Sequence, residues 1–148
     1  MIIRKIKKQE FIRLYDLFPE PKSLWNEYYN LRMLDYDNKE SDTYIIEENN
    51  KILGELTVNY VSHDLDKEAL RGVRAYLEAF RIIKEMQGKG LGQQLIEYAI
   101  NDLINQGYKE FTVGCEEDNK NALHIYNKLG FTTKIQHGYG DKFDQPLQ

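Results

Sequence analysis

The residues of this chain best suited to chemistry are Gln87-Gly88-Lys89-Gly90-Leu91-Gly92. Glycines let backbone amides come close to a ligand, and the N-terminus of a following helix adds partial positive charge. Such a run is therefore an anion site, with phosphate as its natural ligand. A merely convenient turn is the alternative, but each glycine costs about 1 kcal/mol against alanine in ordered structure, and three in five residues point to use. The P-loop pattern GxxxxGK[ST] is absent, which argues against ATP or GTP hydrolysis. A dinucleotide fingerprint GxGxxG would need glycine at position 93 or 95, where Gln93 and Leu95 stand, and the run lies late in the chain rather than in a first βαβ unit.

What remains is Gln-x-x-Gly-x-Gly at positions 87, 90 and 92, preceded by Phe80-Arg81-Ile82 and followed by an amphipathic stretch. A second run, Asn119-Lys120-Asn121-Ala122-Leu123-His124-Ile125-Tyr126-Asn127-Lys128-Leu129-Gly130-Phe131, has the arrangement N…A…Y…LGF. Together, in this order, the two runs resemble the GNAT N-acetyltransferase superfamily, whose members bind acetyl-CoA by such a loop. The resemblance covers residues 73–131 well, and residues 1–62 are compatible with it. It implies a mixed α/β, GNAT-like acyl-CoA N-acyltransferase fold: a twisted, mostly antiparallel sheet of six to seven strands flanked by about four helices. It also implies that Phe80 and Ile82 offer backbone groups to the pantetheine arm of the cofactor. Gln87, Gly88, Lys89, Gly90, Leu91, Gly92 and Gln93 would surround the pyrophosphate, and Asn119 would hydrogen-bond the arm further along. Tyr126 matches the tyrosine that in many members lies near the CoA sulfur as general acid. The other reading of Tyr126 is a core aromatic, because Ala122, Ile125 and Leu129 beside it are also apolar.

Acetyl transfer to nitrogen needs a neutral amine, yet an alkylamine of pKa near 10.4 is mostly ammonium at pH 7, a deficit of about 4.6 kcal/mol. Direct attack on the thioester needs no covalent enzyme intermediate, and a strand amide near Ile82 is expected to steady the developing oxyanion if the strand is splayed from its neighbour. For the base the sequence offers Glu78, two residues before Phe80 and so expected on the same face of the strand. Its other reading is an ion pair with Arg74 or Arg81, and Glu55 and Glu116 are reserves. Some relatives that acetylate protein N-termini carry a glutamate in the strand before the closing helix, where this chain has Gly114. His63, His124 and His137 are too scattered to nominate as a base. Acidic residues cluster at Asp35, Asp37, Glu40 and Asp42 and again at Asp64, Asp66 and Glu68; they would attract a cationic amine, or simply form solvated loops.

Positioning these groups requires a strand at residues 2–6, a helix ending at Pro19, and a second helix over residues 22–36 with stripes Leu24, Tyr28, Leu31 and Trp25, Tyr29, Met33. A hairpin follows, residues 43–47 and 51–62 about the turn Glu48-Asn49-Asn50, with Gly54 as a candidate bulge. Residues 73–84 read as a long strand rich in aromatic and β-branched residues. After the glycine run, Leu91, Leu95, Ile96, Ala99, Ile100, Leu103 and Ile104 form the stripe of a helix stopped at Gly107. A strand over residues 110–115, a helix over 119–129 with Gly130 just past its end, and a strand over 131–135 complete the order. The tail after Ile135 reads as an edge strand, a lid or a partly disordered segment.

The chain has 148 residues, 41% of them hydrophobic, which suits a single domain over residues 1–148 with a sizeable core. Its net charge of −4 argues against nucleic acid as a main partner. The first residues, MIIRKIKKQEF, alternate apolar and basic types without a long apolar stretch, and nowhere do eighteen apolar residues run together, so no membrane partner and a cytoplasmic location are expected. The single cysteine, Cys115, reads as a buried strand residue that cannot close an internal disulfide, and no Cys/His set has zinc-site spacing, so no metal is expected. The expected function is an N-acetyltransferase taking acetyl-CoA and an amine-bearing small molecule or peptide, with a homodimer possible. A non-catalytic acyl-CoA sensor is the alternative, and a nucleotide-binding module a weaker third.

Overall fold

The computed structural model describes residues 1–62, 68–115, 120–131, 133–136 and 141–146; Cys115 and the last two ranges are described by backbone alone. Asn119, Glu116, His63 and His137 lie outside the described residues, as do the side chains of Cys115 and of the tail. The seven strands are β1 (Ile2–Lys5), β2 (Ser41–Glu48), β3 (Lys51–Asn59), β4 (Arg74–Ile82), β5 (Glu110–Cys115), β6 (Thr133–Gln136) and β7 (Asp141–Pro146). They form one sheet in the order β1-β2-β3-β4-β5-β7-β6. Only β4 and β5 run parallel, which gives the expected mixed, mostly antiparallel sheet. The tail strand β7 is not at an edge, since it inserts between β5 and β6.

Helices α1 (Trp25–Asp37), α2 (Leu91–Asn105) and α3 (Lys120–Lys128) cover the sheet. The expected first helix is instead a 3-10 segment, Lys8–Leu17, tied to the sheet by charge. Arg4 and Arg13 both reach Glu10 and Glu47, and Arg13 also donates to the carbonyl of Asn50 at 2.9 Å. The hairpin turns through Asn49 and Asn50, both at positive φ, where asparagine is tolerated and a two-residue loop requires it. Its register slips beside Gly54, as expected of a bulge.

Two apolar layers fill the two faces. Leu56, Val58, Ala75 and Leu77 pack with Leu91, Leu95, Ile96, Ala99 and Leu103 of α2 and with Tyr126 of α3. On the other face Phe11, Leu14, Phe18, Trp25 and Ile45 pack with Tyr28, Tyr29, Met33 and Tyr36. One of the two expected stripes of α1 is therefore wrong, because Leu24 and Leu31 are exposed while Tyr28 joins the stripe of Trp25, Tyr29 and Met33. Spacings of three and four residues from Trp25 run through Tyr28, Tyr29, Arg32, Met33 and Tyr36, and this face meets the sheet.

Candidate functional site

The strand β4 is broken where chemistry would be expected. It pairs with β5 only from Arg74 to Leu77, and there the two strands part. Against β3 its register runs from Thr57↔Glu78 to Glu55↔Arg81, so Ala79 and Phe80 together oppose Leu56, and neither has a partner in the register. Ala79 takes φ +54, a left-handed conformation that costs a non-glycine residue about 1 kcal/mol or more. A bulge with strained backbone beside a parting of strands is a place where a ligand can reach the main chain.

The bulge overturns one expectation. Glu78 and Phe80 do not share a face, because the extra residue interrupts the alternation. Phe80 packs toward α2 and α3, its ring centroid 5.9 Å from that of Tyr126, whereas Glu78 faces α1 and lies 4.0 Å from the guanidinium of Arg32. The ion pairs considered for Glu78 are made elsewhere, since Arg74 pairs with Glu110 and Arg81 with Glu55. The unpaired strand residues also lie at Ala79 and Phe80 rather than at Ile82, whose carbonyl accepts a hydrogen bond from Gln87 Nε2 at 3.0 Å.

That bond clamps the glycine loop to the end of β4. Gly88 and Gly90 stand at φ +78 and +82 with open space where a Cβ would project, and Gly90 caps the N-terminus of α2. Gly92 has a different task, because an added Cβ would lie 2.7 Å from the ring of Phe80 and 3.1 Å from Ile125. It lets the aromatic ring sit against the first turn of α2. A cleft of about 1140 Å³ opens above this loop, lined by Phe80, Ile82, Gln87, Gly88, Gly90, Leu91, Gly92 and Gln93, with Lys89 exposed at its rim. Its size suits a nucleotide-bearing thioester. Among the described lining residues five are cationic (Arg13, Lys51, Arg81, Lys84, Lys128) and two acidic (Asp16, Glu85); Arg13, Lys51 and Arg81 are ion-paired with carboxylates, and Lys84 and Lys128 against Asp16 leave a small positive excess in a chain of net charge −4. The residues present fit a polyanionic cofactor: backbone amides at a helix start, two glycines with room before them, and basic walls.

Sequence reasoning missed part of this lining. Asn121, His124, Ile125 and Lys128 face the cleft from α3, at the three- and four-residue spacing that places them on one side of the helix. That spacing, counted from the closing motif, was the available signal for His124. The contribution of Arg13, Asp16 and Leu17 depends on how the 3-10 segment docks and had no local signature. Tyr126 is 1% exposed, and its ring lies between those of Phe80 and Phe131, one layer behind the cleft wall.

A second cavity, of about 280 Å³, opens on the α1 side of β4. Glu78, Tyr76, Asn59 and Ser62 line it together with Arg32, Asp35, Glu40 and Glu68, so acidic residues from both sequence clusters meet there. The described lining holds four carboxylates and one guanidinium, and Asp35 already pairs with that guanidinium at 2.9 Å. Burial, then the charges of Glu78 and Glu68, pushes the Tyr76 hydroxyl well above the ordinary tyrosine range. The Tyr76 ring also explains Gly114, where any Cβ would run into its hydroxyl. A glutamate at that position would require the Tyr76 ring to move aside. Among the described residues no group of side chains could hold a metal ion, and no helix is long and apolar enough to cross a membrane.

The comparisons with known proteins agree with this geometry. The model of the acetyltransferase (GNAT) family matches residues 11–131. The chain is 33% identical over 73 residues to N-alpha-acetyltransferase MAK3 of Arabidopsis thaliana, 48% of this chain and 38% of that protein. It is 29% identical over 99 residues to mycothiol acetyltransferase of Corynebacterium efficiens, 67% of this chain and 30% of that protein. The chain thus spans well under two thirds of the curated relatives it matches. In fold it is similar to the PaiA N-acetyltransferase of Thermoplasma acidophilum solved with coenzyme A, at a TM-score of 0.77 and 16% identity over 99% of this chain and 98% of that one. With the family model matching most of its length, the chain belongs to the GNAT family of acetyltransferases.

Proposed function

We propose that the protein moves the acetyl group of acetyl-CoA to a primary amine on a cationic small molecule or peptide by direct attack. The observation that carries this reading is the opposite charge of two cavities flanking the β4 bulge, one basic and ending on the glycine loop, the other acidic and holding Glu78. Acetyl-CoA would supply an activated acyl thioester. Backbone groups near Phe80 and Ile82 would orient its pantetheine arm, and residues 87–93 would hold its pyrophosphate. Asn119 is assigned to the same arm from the motif alone. The main chain at Ala79 and Phe80, outside the ladder on both sides, is the best placed to steady negative charge on the reacting carbonyl oxygen.

Glu78 is the base in this reading. Its side chain is 34% exposed and lines the acidic cavity, so it can meet an ammonium group and take its proton. Tyr126 is the acid in this reading, assigned from the motif; its hydroxyl lies behind Phe80, so returning a proton to the departing thiolate requires the Phe80 ring to swing aside and bring the two within hydrogen-bond reach. Glu78→Gln keeps shape and removes the proton acceptor. It should lower kcat/KM for an amine acceptor about 100-fold or more while leaving the calorimetric Kd for acetyl-CoA within about twofold. An unchanged kcat/KM would remove Glu78 from the mechanism.

A further inference from the structure

The carboxylate of Glu55 has no part in the scheme above, yet it is buried almost completely. Glu55 is 1% exposed, and neither of its oxygens has a hydrogen-bond partner among the described residues; the hydroxyl of Tyr28 beside it is likewise buried and unbonded. Burying a charge in this way is expensive unless something compensates it, and unsatisfied buried polar groups in native proteins call for a reason. The groups facing Glu55 are few. From β4 comes Arg81, 3.4 Å away at its register position; from α1 come Arg32 and Tyr28; from β2 its register partner is the apolar Ile45. Arg32 is thus shared among three carboxylates: Glu55 on the inner side, and Asp35 and Glu78 lining the acidic cavity.

We infer that Glu55 is a positioning residue for the acceptor site: its buried carboxylate, ion-paired with Arg81, also draws on Arg32 and so keeps that guanidinium at 4.0 Å from Glu78, beyond hydrogen-bond distance, which lets the Glu78 carboxylate take a cationic amine. The inference rests on the reading of that cavity as the acceptor site. Without the inner charge, Asp35 and Glu78 are the carboxylates left to Arg32, which closes its 4.0 Å gap to Glu78 and cancels the charge an ammonium group would meet. The device works only while Glu55 is ionised. Burial pushes its carboxyl up to about 7, against the attraction of Arg81 and Arg32, so the acceptor site should strengthen as pH rises through that value.

The test uses the full chain, acetyl-CoA and 1,5-diaminopentane as the acceptor probe, with thiol release as readout. Glu55→Gln should raise KM for the diamine about tenfold or more, leave acetyl-CoA binding by calorimetry unchanged, and abolish the rise of kcat/KM near pH 7. Adding Arg32→Met to Glu55→Gln should bring KM back to within about threefold of the parent, because the displaced guanidinium is then gone. Acetyl-CoA binding shows that each variant is folded, and a variant that fails it is replaced by Glu55→Asp, which should retain the pH limb. Unchanged KM and pH profile in Glu55→Gln, or no recovery in the double variant, would overturn the inference. Wild-type protein that fails to turn over the diamine, or Glu78→Gln with full activity, would instead overturn the reading of the cavity on which it rests.

Discussion

Gly90→Asp should abolish measurable acetyl-CoA binding, a loss of at least about 100-fold in Kd, or roughly 2.7 kcal/mol. Position 90 caps α2 at φ +82 with nothing within 4 Å of an added Cβ, so the new side chain fits the fold but projects from the loop toward the cleft. A carboxylate there meets the phosphates of the ligand, and like charges set against each other in an interface cost several kcal/mol. Part of the effect would come from strain, since a β-carbon at positive φ costs about 1 kcal/mol. Two controls separate the causes. Gly90→Ala carries the strain without the charge and should lose far less affinity. Gly72→Asp places the same residue at an equal φ of +82, away from the cleft, and should bind acetyl-CoA as the wild type does. Calorimetric titration of the three variants decides the matter; equal affinities in Gly90→Asp and the wild type would take the glycine loop out of the site.

The second large effect is expected at Tyr126. Replacing it by Phe removes one hydroxyl from a ring that is 1% exposed and packed against Phe80 and Phe131. Shape and apolar contacts are kept, so the thermal midpoint should move by only a few degrees. If the hydroxyl protonates the departing thiolate, kcat should fall about 100-fold at an unchanged Kd for acetyl-CoA. The two readings of this residue, acid or core aromatic, differ in that single readout. Full kcat in Tyr126→Phe would leave Tyr126 as the packing partner of Phe80 and hand proton return to solvent or another group.

Much of this site was legible in the chain because its parts are local. The glycine loop, the stripe of α2 and the paired asparagines of the hairpin each follow from what one residue type permits at one backbone conformation. What escaped depends on contacts distant in sequence. Alanine gives no hint of positive φ, so the bulge at Ala79 was unreadable, and with it the separation of Glu78 from Phe80 onto opposite faces. The pairing of Arg32 with Glu78 and of Arg81 with Glu55 joins α1, β3 and β4, which no spacing along the chain encodes. The acidic runs at residues 35–42 and 64–68 read in sequence either as an attraction for a cationic amine or as solvated loops; only the fold brings Asp35, Glu40 and Glu68 around one cavity with Glu78. Similarly, α1 carries leucines at Leu31 and Leu34 away from its aromatic face, and both are exposed, so its sequence alone left the core face ambiguous.

The proposal as a whole stands or falls on thiol release from acetyl-CoA mixed with the protein and a panel of primary amines that includes 1,5-diaminopentane and a lysine-bearing peptide. The expected result is release that requires an amine, saturates with acetyl-CoA, is not competed by ATP or NAD, and disappears in Gly90→Asp. Binding of acetyl-CoA without release for any amine would contradict acetyl transfer and favour a sensor, and release that persists in Gly90→Asp would contradict the site.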